Sequence, residues 1–343
     1  MASSEQPFAA GSPRVLVAGA TGFAGALAAE LLWRHPGFEL VALSGRSNVG
    51  RPLEALYPRY RVPLAVQELD PERPPDVAAA VVAYPHAVAA PTVAGLHAHG
   101  VRVVDLSADF RLRSLATYEH WYGPHPHPEL LEQSAYGLTE LHREGIADAA
   151  IVANPGCYPT AAVLALAPLA RAGLIADVVI DAKQGTSGAG RGAEIDTTHL
   201  SMAGENILPY KVAAHRHTPE IEEQLSLLGT DVKVQFQAHL VPLDQGELAS
   251  CYVTTTRTVS NKELEELYVD AYAQEPFIEL ARVPPGTRDV VATNFARLFA
   301  AADAHTGKVV ALSAIDNLWK GTSSQAVQNL NLMFGKPETA GLT

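Results

Sequence analysis

A glycine-rich segment near the amino terminus constrains the fold of this chain more than any other feature of its sequence. The segment, Gly19-Ala-Thr-Gly-Phe-Ala-Gly25, follows a short apolar run that begins at Arg14 and precedes an Ala/Leu-rich stretch that ends near His35. A second apolar run begins at Glu39. A strand, a helix and a strand within about 30 residues form a βαβ unit, and such units build parallel sheets. We therefore predict that the chain begins with a parallel α/β domain.

The glycines stand where a dinucleotide-binding turn belongs, between a strand and a helix. They let the backbone approach a pyrophosphate closely, and the amino terminus of the following helix favours its negative charge. We predict that the cofactor contacts Gly19, Thr21, Gly22, Phe23 and Gly25. The alternative is a tight glycine turn that binds no ligand.

The residues after the second predicted strand indicate which dinucleotide is bound. An Asp or Glu at this place would hold the ribose 2′-hydroxyl of NAD. The sequence instead has Ser44, Gly45, Arg46 and Ser47. A guanidinium and two hydroxyls suit a 2′-phosphate, so we predict NADP and assign Ser44, Arg46 and Ser47 to its binding. The alternative for Arg46 is an exposed side chain on a loop.

The length of 343 residues suggests two domains. Further apolar runs at 78–83 and 101–106 extend the first sheet, whereas the second half has strand-like runs interspersed with helical stretches. We predict an α/β fold with two parts. The first is a Rossmann-type dinucleotide-binding domain over residues 13–155, completed by a carboxyl-terminal helix at about 318–335. The second is an α+β substrate or dimerisation domain over residues 156–317.

Composition excludes several classes of protein. The net charge of −12 argues against a nucleic-acid partner, which would need a basic stripe. The two cysteines, Cys157 and Cys251, are too few for a disulfide framework. The sequence has no apolar run of about 18 residues and no secretory signal at its amino terminus, so we expect a cytoplasmic protein without a membrane span.

Cys157 is the predicted nucleophile. It lies in Asn154-Pro-Gly-Cys-Tyr-Pro-Thr, a turn that precedes an Ala/Leu-rich helix over about 160–171. A helix amino terminus stabilises a thiolate, which is the reactive form of cysteine, and its N–H groups can hold an oxyanion. The alternative is a small buried hydrophobe.

Histidines in the second half supply a candidate acid or base. His215 and His217 lie in His-Arg-His-Thr-Pro-Glu, a loop that leads into a predicted helix. Imidazole titrates near neutral pH and therefore suits a cysteine nucleophile. The alternative is a pair of surface or capping histidines. His125 and His127 lie in a proline-rich loop with no obvious third ligand, so we predict no metal site.

The motifs together resemble one enzyme family. The segments GATGFAG, LSADFRL, NPGCYPTA, GTSGAGR, HRHTPEI and NLWKG resemble those of the N-acetyl-gamma-glutamyl-phosphate reductases of arginine biosynthesis, and more loosely those of the aspartate-semialdehyde dehydrogenases. The resemblance implies NADPH-dependent reduction of N-acetyl-gamma-glutamyl phosphate to the semialdehyde and phosphate through a cysteine thioester. It implies that Cys157 forms the thioester, that His217 moves protons, and that His215 contacts the substrate.

The resemblance also assigns further residues. Arg111 is expected to bind the acyl phosphate, although a salt bridge to Asp109 is the alternative, and Glu220 is expected to hold a histidine or meet the substrate. The remaining expected substrate contacts are Ser107 and Asn154, and the remaining expected cofactor contacts are Ser187, Gly188 and Asn317. The family implies a homo-oligomer, either a dimer or a tetramer.

Two departures from the family pattern keep alternatives open. Gln245 stands where many members have Arg, and the tail reads Gly321-Thr-Ser-Ser-Gln instead of Gly-Ala-Ala-Gly-Gln. The alternatives are a reductase of a carrier-bound acyl phosphate, a dehydrogenase acting on aspartate semialdehyde, and a non-catalytic NADP-binding protein. The acidic net charge argues against an acidic carrier protein, and HRHTPEI argues against the aspartate enzyme.

Overall fold

The computed structural model describes residues 6–192 and 203–343. The chain divides into two compact units. The first unit comprises Met1–Pro155 and Thr322–Thr343, and the second comprises Gly156–Gly321.

The first unit is built on a parallel sheet with strand order β3-β2-β1-β4-β5-β7-β6. Its strands are β1 (Arg14–Ala18), β2 (Glu39–Ser44), β3 (Val66–Gln67), β4 (Ala79–Val82), β5 (Arg102–Asp105), β6 (Ser134–Tyr136) and β7 (Ile151–Ala153). Its helices are α1 (Phe23–Trp33), α2 (Leu53–Leu56), α3 (Ala89–Ala98), α4 (Leu115–Tyr122) and α5 (Thr139–Asp148), with a 3-10 turn at Pro128–Gln133. This arrangement confirms the predicted Rossmann-type fold.

The strand order reverses at β1, which pairs with β2 on one side and with β4 on the other. In open parallel sheets, ligands bind beyond the carboxyl ends of the strands at such a switch point. The glycine turn after β1 lies at this place. The apolar runs that predicted β1, β4 and β5 are buried because helices cover the sheet, as in the cluster formed by Leu16, Val82, Val93 and Val103.

The last helix of the chain, α9 (Ser324–Met333), belongs to the first unit and packs against α1 and α5. Its polar side chains are buried but bonded. The Asn329 amide donates to the Gly137 carbonyl oxygen (2.9 Å) and to Asn154 Oδ1 (3.0 Å), and its Oδ1 accepts from the Thr139 hydroxyl (3.0 Å). These hydrogen bonds satisfy the polar atoms of the Asn329 side chain, which allows it to be buried.

The second unit is built on a mixed sheet with strand order β12-β13-β14-β11-β8-β10-β9. Its strands are β8 (Ile175–Gly185), β9 (Leu208–Tyr210), β10 (Val234–Val241), β11 (Glu247–Thr255), β12 (Ile278–Leu280), β13 (Ala296–Ala302) and β14 (Val309–Ile315). Its helices are α6 (Cys157–Arg171), α7 (Thr218–Leu227) and α8 (Asn261–Tyr272), with 3-10 turns at Thr186–Ala189 and Thr287–Asp289 and a π-turn at Trp319–Ser323 that runs past the end of the unit.

Helix α6 forms the centre of this unit. From Tyr158 to Ala170 every residue of α6 is buried, because the helix packs against β8, β11 and β14 and against α7 and α8. Its Ala/Leu-rich composition allows this close packing on several sides. The predicted α+β domain is confirmed, but the helix begins at Cys157 and not near residue 160. None of the described helices is long and apolar enough to cross a membrane.

Candidate active site

Cys157 occupies the first helical position of α6. The N-cap residue, Gly156, provides no side-chain cap, so the N–H groups of the first turn are not satisfied by a capping side chain. A Cβ atom added to Gly321 would lie 2.8 Å from Cys157 Cβ, so glycine is required there for the chain to pass so close to the cysteine. The thiol is half-buried, as a nucleophile that must meet a substrate requires.

The amide of Gln184, at the end of β8, contacts the thiol. Its Nε2 donates to Cys157 Sγ at 3.0 Å. A Cβ added to Gly188 would lie 2.1 Å from that same Nε2, so the GTSGAGR glycine is needed because the loop packs directly on Gln184. The loop thereby fixes the amide that orients the sulfur.

The pKa of the Cys157 thiol is raised well above its usual value, chiefly by burial and next by the nearby Glu247 carboxyl. The hydrogen bond from Gln184 and the Tyr158 backbone N–H act in the opposite direction but do not prevail. This raised pKa runs against the prediction that the helix terminus stabilises a thiolate. Desolvation outweighs the helix dipole here, and the thiol needs a proton acceptor in order to react.

The two histidines differ in character. His215 is buried, its Nδ1 accepts the His217 backbone N–H at 3.1 Å, and burial lowers its pKa to about 2. It therefore remains neutral at physiological pH. His217 is partly exposed at the N-cap of α7, and its ring lies 4.9 Å from that of His215. Of the two, only His217 has the solvent access that proton exchange requires.

A cavity of about 380 Å³ in the second unit joins these groups. Its lining includes Cys157, Gln184, Gly188, Tyr210, Lys211 and His217. Tyr158 also lines the cavity. Its ring packs edge-on against His215 and His217, and its hydroxyl accepts a hydrogen bond from the Tyr210 hydroxyl at 3.0 Å. The cysteine and histidine motifs, distant in sequence, thus meet at one cavity.

Glu220 reaches the cysteine turn from the first turn of α7. Its side chain is buried, and Oε1 accepts the Gly156 N–H at 2.9 Å. This bond ties the loop of the histidines to the residue that precedes Cys157. Neither of the two expected roles for Glu220 describes this contact.

Ser187 and Asn317 come together in the second unit. The Asn317 amide donates to the Ser187 hydroxyl at 3.0 Å, and its Oδ1 accepts the Gly246 N–H at 2.8 Å. The Ser187 hydroxyl in turn donates to the Asp244 carbonyl oxygen at 2.6 Å. These bonds anchor the GTSGAGR loop to the start of β11, while the expected cofactor contacts of Ser187, Gly188 and Asn317 stay predictions.

The glycine turn of the first unit is shaped for close backbone approach. Gly19 has φ +86°, and a Cβ added to it would lie 2.5 Å from the Ala83 carbonyl oxygen. A Cβ added to Gly25 would lie 2.2 Å from the Gly19 carbonyl oxygen. Gly22 is the N-cap of α1 and offers no side-chain cap. The turn therefore fits the pyrophosphate of a dinucleotide, which would bind the free N–H groups at the start of α1.

The end of β2 lies against this turn. The Ser44 carbonyl oxygen accepts the N–H groups of Gly19 and Ala20, both at 2.9 Å, and the Ser44 hydroxyl lies 3.1 Å from that of Tyr84. Arg46 and Ser47 are exposed just beyond. A guanidinium beside a dinucleotide turn, with no carboxylate at the end of the strand, fits a 2′-phosphate.

Arg111, Ser107 and Asn154 lie near the ends of β5 and β7 in the first unit. Arg111 is buried and donates to the carbonyl oxygens of Asn154 and Leu106, both at 2.8 Å. The Ser107 hydroxyl donates to Asp105 at 2.6 Å, and Asn154 bonds to α9 and to the Thr322 carbonyl oxygen. These contacts order the segment, and the expected roles in substrate binding stay predictions.

Sequence reasoning missed Gln184, Glu247 and Tyr210. A signal for the first two was present, because both lie on strands at positions whose neighbours on the same face are apolar. On β8, Gln184 lies on the same buried face as Ile180 and Ala182. On β11, Glu247 lies on the same buried face as Ala249 and Cys251. A polar residue at an inward position of a strand marks a site that needs a partner. The described residues hold no cluster of three metal-ligating side chains.

Comparison with known proteins adds to this geometry. The model of the semialdehyde dehydrogenase NAD binding domain matches residues 14–149, and that of the semialdehyde dehydrogenase dimerisation domain matches residues 157–317. The chain is 48% identical to N-acetyl-gamma-glutamyl-phosphate reductase of Moorella thermoacetica over 95% of its length and 96% of the relative's. The corresponding protein of Desulforudis audaxviator is also 48% identical, with 96% and 97% covered. The chain belongs to the N-acetyl-gamma-glutamyl-phosphate reductase family.

Solved structures agree on the fold. The aspartate semialdehyde dehydrogenase II of Vibrio cholerae superposes with a TM-score of 0.72 at 21% identity, covering 94% of this chain and 99% of the other. The aspartate semialdehyde dehydrogenase of Candida albicans, solved with NADP, superposes with a TM-score of 0.70 at 15% identity, covering 94% and 98%. Both likenesses concern the fold of the whole chain.

Proposed function

We propose that this protein reduces N-acetyl-gamma-glutamyl phosphate to N-acetylglutamate semialdehyde and phosphate, with NADPH as the reductant. The observation that carries the proposal is a half-buried cysteine at the uncapped start of a helix, bonded by an amide and facing a cavity that a partly exposed histidine also lines. Curated relatives with this activity in their names cover almost the whole chain.

In the first half-reaction the Cys157 thiol loses its proton to a base, Sγ attacks the acyl carbon, and the bond to the phosphate oxygen breaks to leave a thioester. The Gln184 amide holds the sulfur in place, and the first-turn N–H groups of α6 are donors for charge that develops on the carbonyl oxygen. His217 supplies a proton to the departing phosphate, while His215 remains neutral and positions the His217 backbone.

The second half-reaction releases the aldehyde. NADPH, when bound, would supply the hydride that reduces the thioester to a thiohemiacetal. We propose that Gly19, Thr21, Gly22, Phe23 and Gly25 hold its pyrophosphate and that Ser44, Arg46 and Ser47 hold its 2′-phosphate. Cys157 then leaves as the carbon–sulfur bond breaks, and Gln184 again donates to the sulfur.

The protein is further proposed to act as a homo-oligomer in the cytoplasm, as a dimer or a tetramer. The match of residues 157–317 to a dimerisation domain supports the self-association. The number of copies is measured by light scattering of the purified protein.

The reverse reaction tests the activity. The protein is incubated with N-acetylglutamate semialdehyde, phosphate and NADP, and NADPH absorbance is followed. We expect turnover by the wild type and none by Cys157→Ser. Turnover with aspartate semialdehyde but not with N-acetylglutamate semialdehyde would show that the protein is an aspartate-semialdehyde dehydrogenase. No turnover with either substrate would refute the proposal.

A further inference from the structure

Glu247, the first residue of β11, is a buried acid that lacks a well-aligned hydrogen-bond donor among the described residues. Its side chain is 0% exposed, and neither carboxyl oxygen accepts a well-aligned hydrogen bond from any described group. An unpaired carboxyl inside a protein is strongly unfavourable, and such groups in native proteins commonly have a function. The mechanism described above does not use Glu247.

Strand pairing places Glu247 beside the nucleophile. Strands β8 and β11 are antiparallel, and Glu247 lies directly opposite Gln184. Side chains of directly opposed residues project from the same face of a sheet, with Cβ atoms about 5 Å apart. The Glu247 carboxyl interacts with the Cys157 thiol, which the Gln184 amide also contacts. Helix α6, which carries Cys157, packs on this face.

The surroundings of Glu247 decide its charge. Glu247 interacts electrostatically with the Cys157 thiol, the Asp316 carboxylate and the phenols of Tyr158 and Tyr210. None of these groups carries a positive charge. Asp316 is itself bonded to the N–H groups of Ala292, Leu318 and Trp319. Burial raises the pKa of Glu247 to about 8, so the carboxyl is mostly protonated at neutral pH, and the carboxylate that can accept a proton becomes the major form only above about pH 8.

We propose that Glu247 is a catalytic residue that exchanges one proton with Cys157. As Sγ bonds to the acyl carbon, the thiol proton moves to a Glu247 carboxylate oxygen, and the phosphate leaves with the electron pair of the broken carbon–oxygen bond. When the thiohemiacetal later collapses, the carbon–sulfur bond breaks and the carboxylic acid returns its proton to the thiolate. The phosphate receives its own proton from His217, so the pair of Cys157 and Glu247 ends each cycle unchanged.

This assignment rests on the proposed function for the acyl transfer, but the proton exchange itself can be measured without substrate. The rate of alkylation of Cys157 by iodoacetamide is followed between about pH 6 and pH 10, which spans the ordinary range for thiols. Peptide mass spectrometry separates Cys157 from the fully buried Cys251. The variants are Glu247→Gln and Glu247→Asp. Glu279→Gln, on β12 of the same sheet, is the matched control for the loss of one acid.

In the wild type the alkylation rate is expected to rise as the Glu247 carboxyl, whose pKa is raised to about 8, loses its proton and becomes able to accept the thiol proton. In Glu247→Gln the rise moves upward by about one pH unit or more, so alkylation near pH 8 slows about tenfold. Glu247→Asp restores part of the rate, and Glu279→Gln matches the wild type.

The opposite result has a clear meaning. If Glu247 is merely a negative charge that disfavours the thiolate, Glu247→Gln reacts as fast as the wild type or faster, and the proposal is overturned. If Glu247→Gln does not fold, the wild-type profile decides, because a rate that stays flat below about pH 9 also overturns it. An inactive wild type with the predicted alkylation profile would refute the proposed reaction and leave the proton exchange standing.

Discussion

Replacing Gly25 by alanine tests how the glycine turn binds its cofactor. The added Cβ would lie 2.2 Å from the Gly19 carbonyl oxygen and 3.0 Å from Ala20 Cα, whereas ordinary contacts begin at 3.4 Å. These neighbours are backbone atoms, so the turn itself must move by about 1 Å. Overpacking of this kind lowers the free energy of unfolding by about 1–3 kcal/mol.

The same distortion acts on binding. The relaxed turn no longer has the shape that fits the pyrophosphate, so cofactor binding must return the turn to its original shape. The free energy required is similar to the loss of stability, and a change of about 1.4 kcal/mol is tenfold in Kd. We therefore expect Gly25→Ala to weaken NADPH binding by about 5- to 150-fold. Calorimetric titration gives the Kd, and urea denaturation gives the unfolding free energy.

Gly22→Ala is the matched control for stability. Its added Cβ would lie 3.6 Å from the Gly19 carbonyl oxygen, an ordinary contact, and its φ of −81° is open to any residue. It should unfold with the wild-type free energy. A Gly25→Ala protein with unchanged stability and unchanged NADPH affinity would refute the steric reasoning.

Three further changes probe the site. Gln184→Leu removes the donor to Cys157 Sγ, and since a bond to a charged group is worth about 1.5–3 kcal/mol, turnover should fall roughly 10- to 100-fold in the NADPH assay. Arg46→Ala should raise the Kd for NADPH about tenfold and leave that for NADH unchanged, as measured by fluorescence titration. His215→Asn tests a pH dependence. The folded pKa of His215, about 2, lies below the unfolded value of 6.5, so the unfolded chain binds the extra proton and stability falls as the pH drops below about 6.5. His215 should therefore make the unfolding free energy of the wild type fall by about 1.4 kcal/mol for each pH unit between about pH 6 and 5. Urea denaturation of His215→Asn should lack this contribution.

Each of these has a contrary outcome. Wild-type turnover in Gln184→Leu would mean that the amide does not act on the sulfur. An equal loss of NADPH and NADH binding in Arg46→Ala would mean that the guanidinium does not read the 2′-phosphate. An unchanged acid slope in His215→Asn would mean that the imidazole becomes protonated within the fold.

The parts of the site that could be predicted from the sequence are those encoded locally. Gly19, Gly25 and Cys157 stand in short segments whose turn geometry depends on neighbouring residues, and apolar runs predicted most of the central strands. His217 could be proposed because cysteine chemistry needs a base. None of these required knowledge of which distant strands are adjacent.

What escaped prediction depends on long-range pairing. Gln184 and Glu247 become neighbours only because β8 and β11 pair in one particular register. The raised pKa of the Cys157 thiol follows from burial of the whole of α6, which the helix-terminus argument did not include. Asn329, on the polar face of α9, is buried because its partners come from α5 and from the segments beside β7 and α5, which are distant in sequence.

A thioester at Cys157 is the central intermediate of the proposed reaction. Incubating the protein with N-acetylglutamate semialdehyde and NADP, without phosphate, should stop the reverse reaction at that intermediate. Mass spectrometry of the acid-quenched, peptic digest then reports which residue carries the acyl group. We predict an N-acetylglutamyl group on Cys157 that hydroxylamine removes, formed together with an equal amount of NADPH. Formation of NADPH with an unmodified Cys157, or with the acyl group on another residue, would contradict the account.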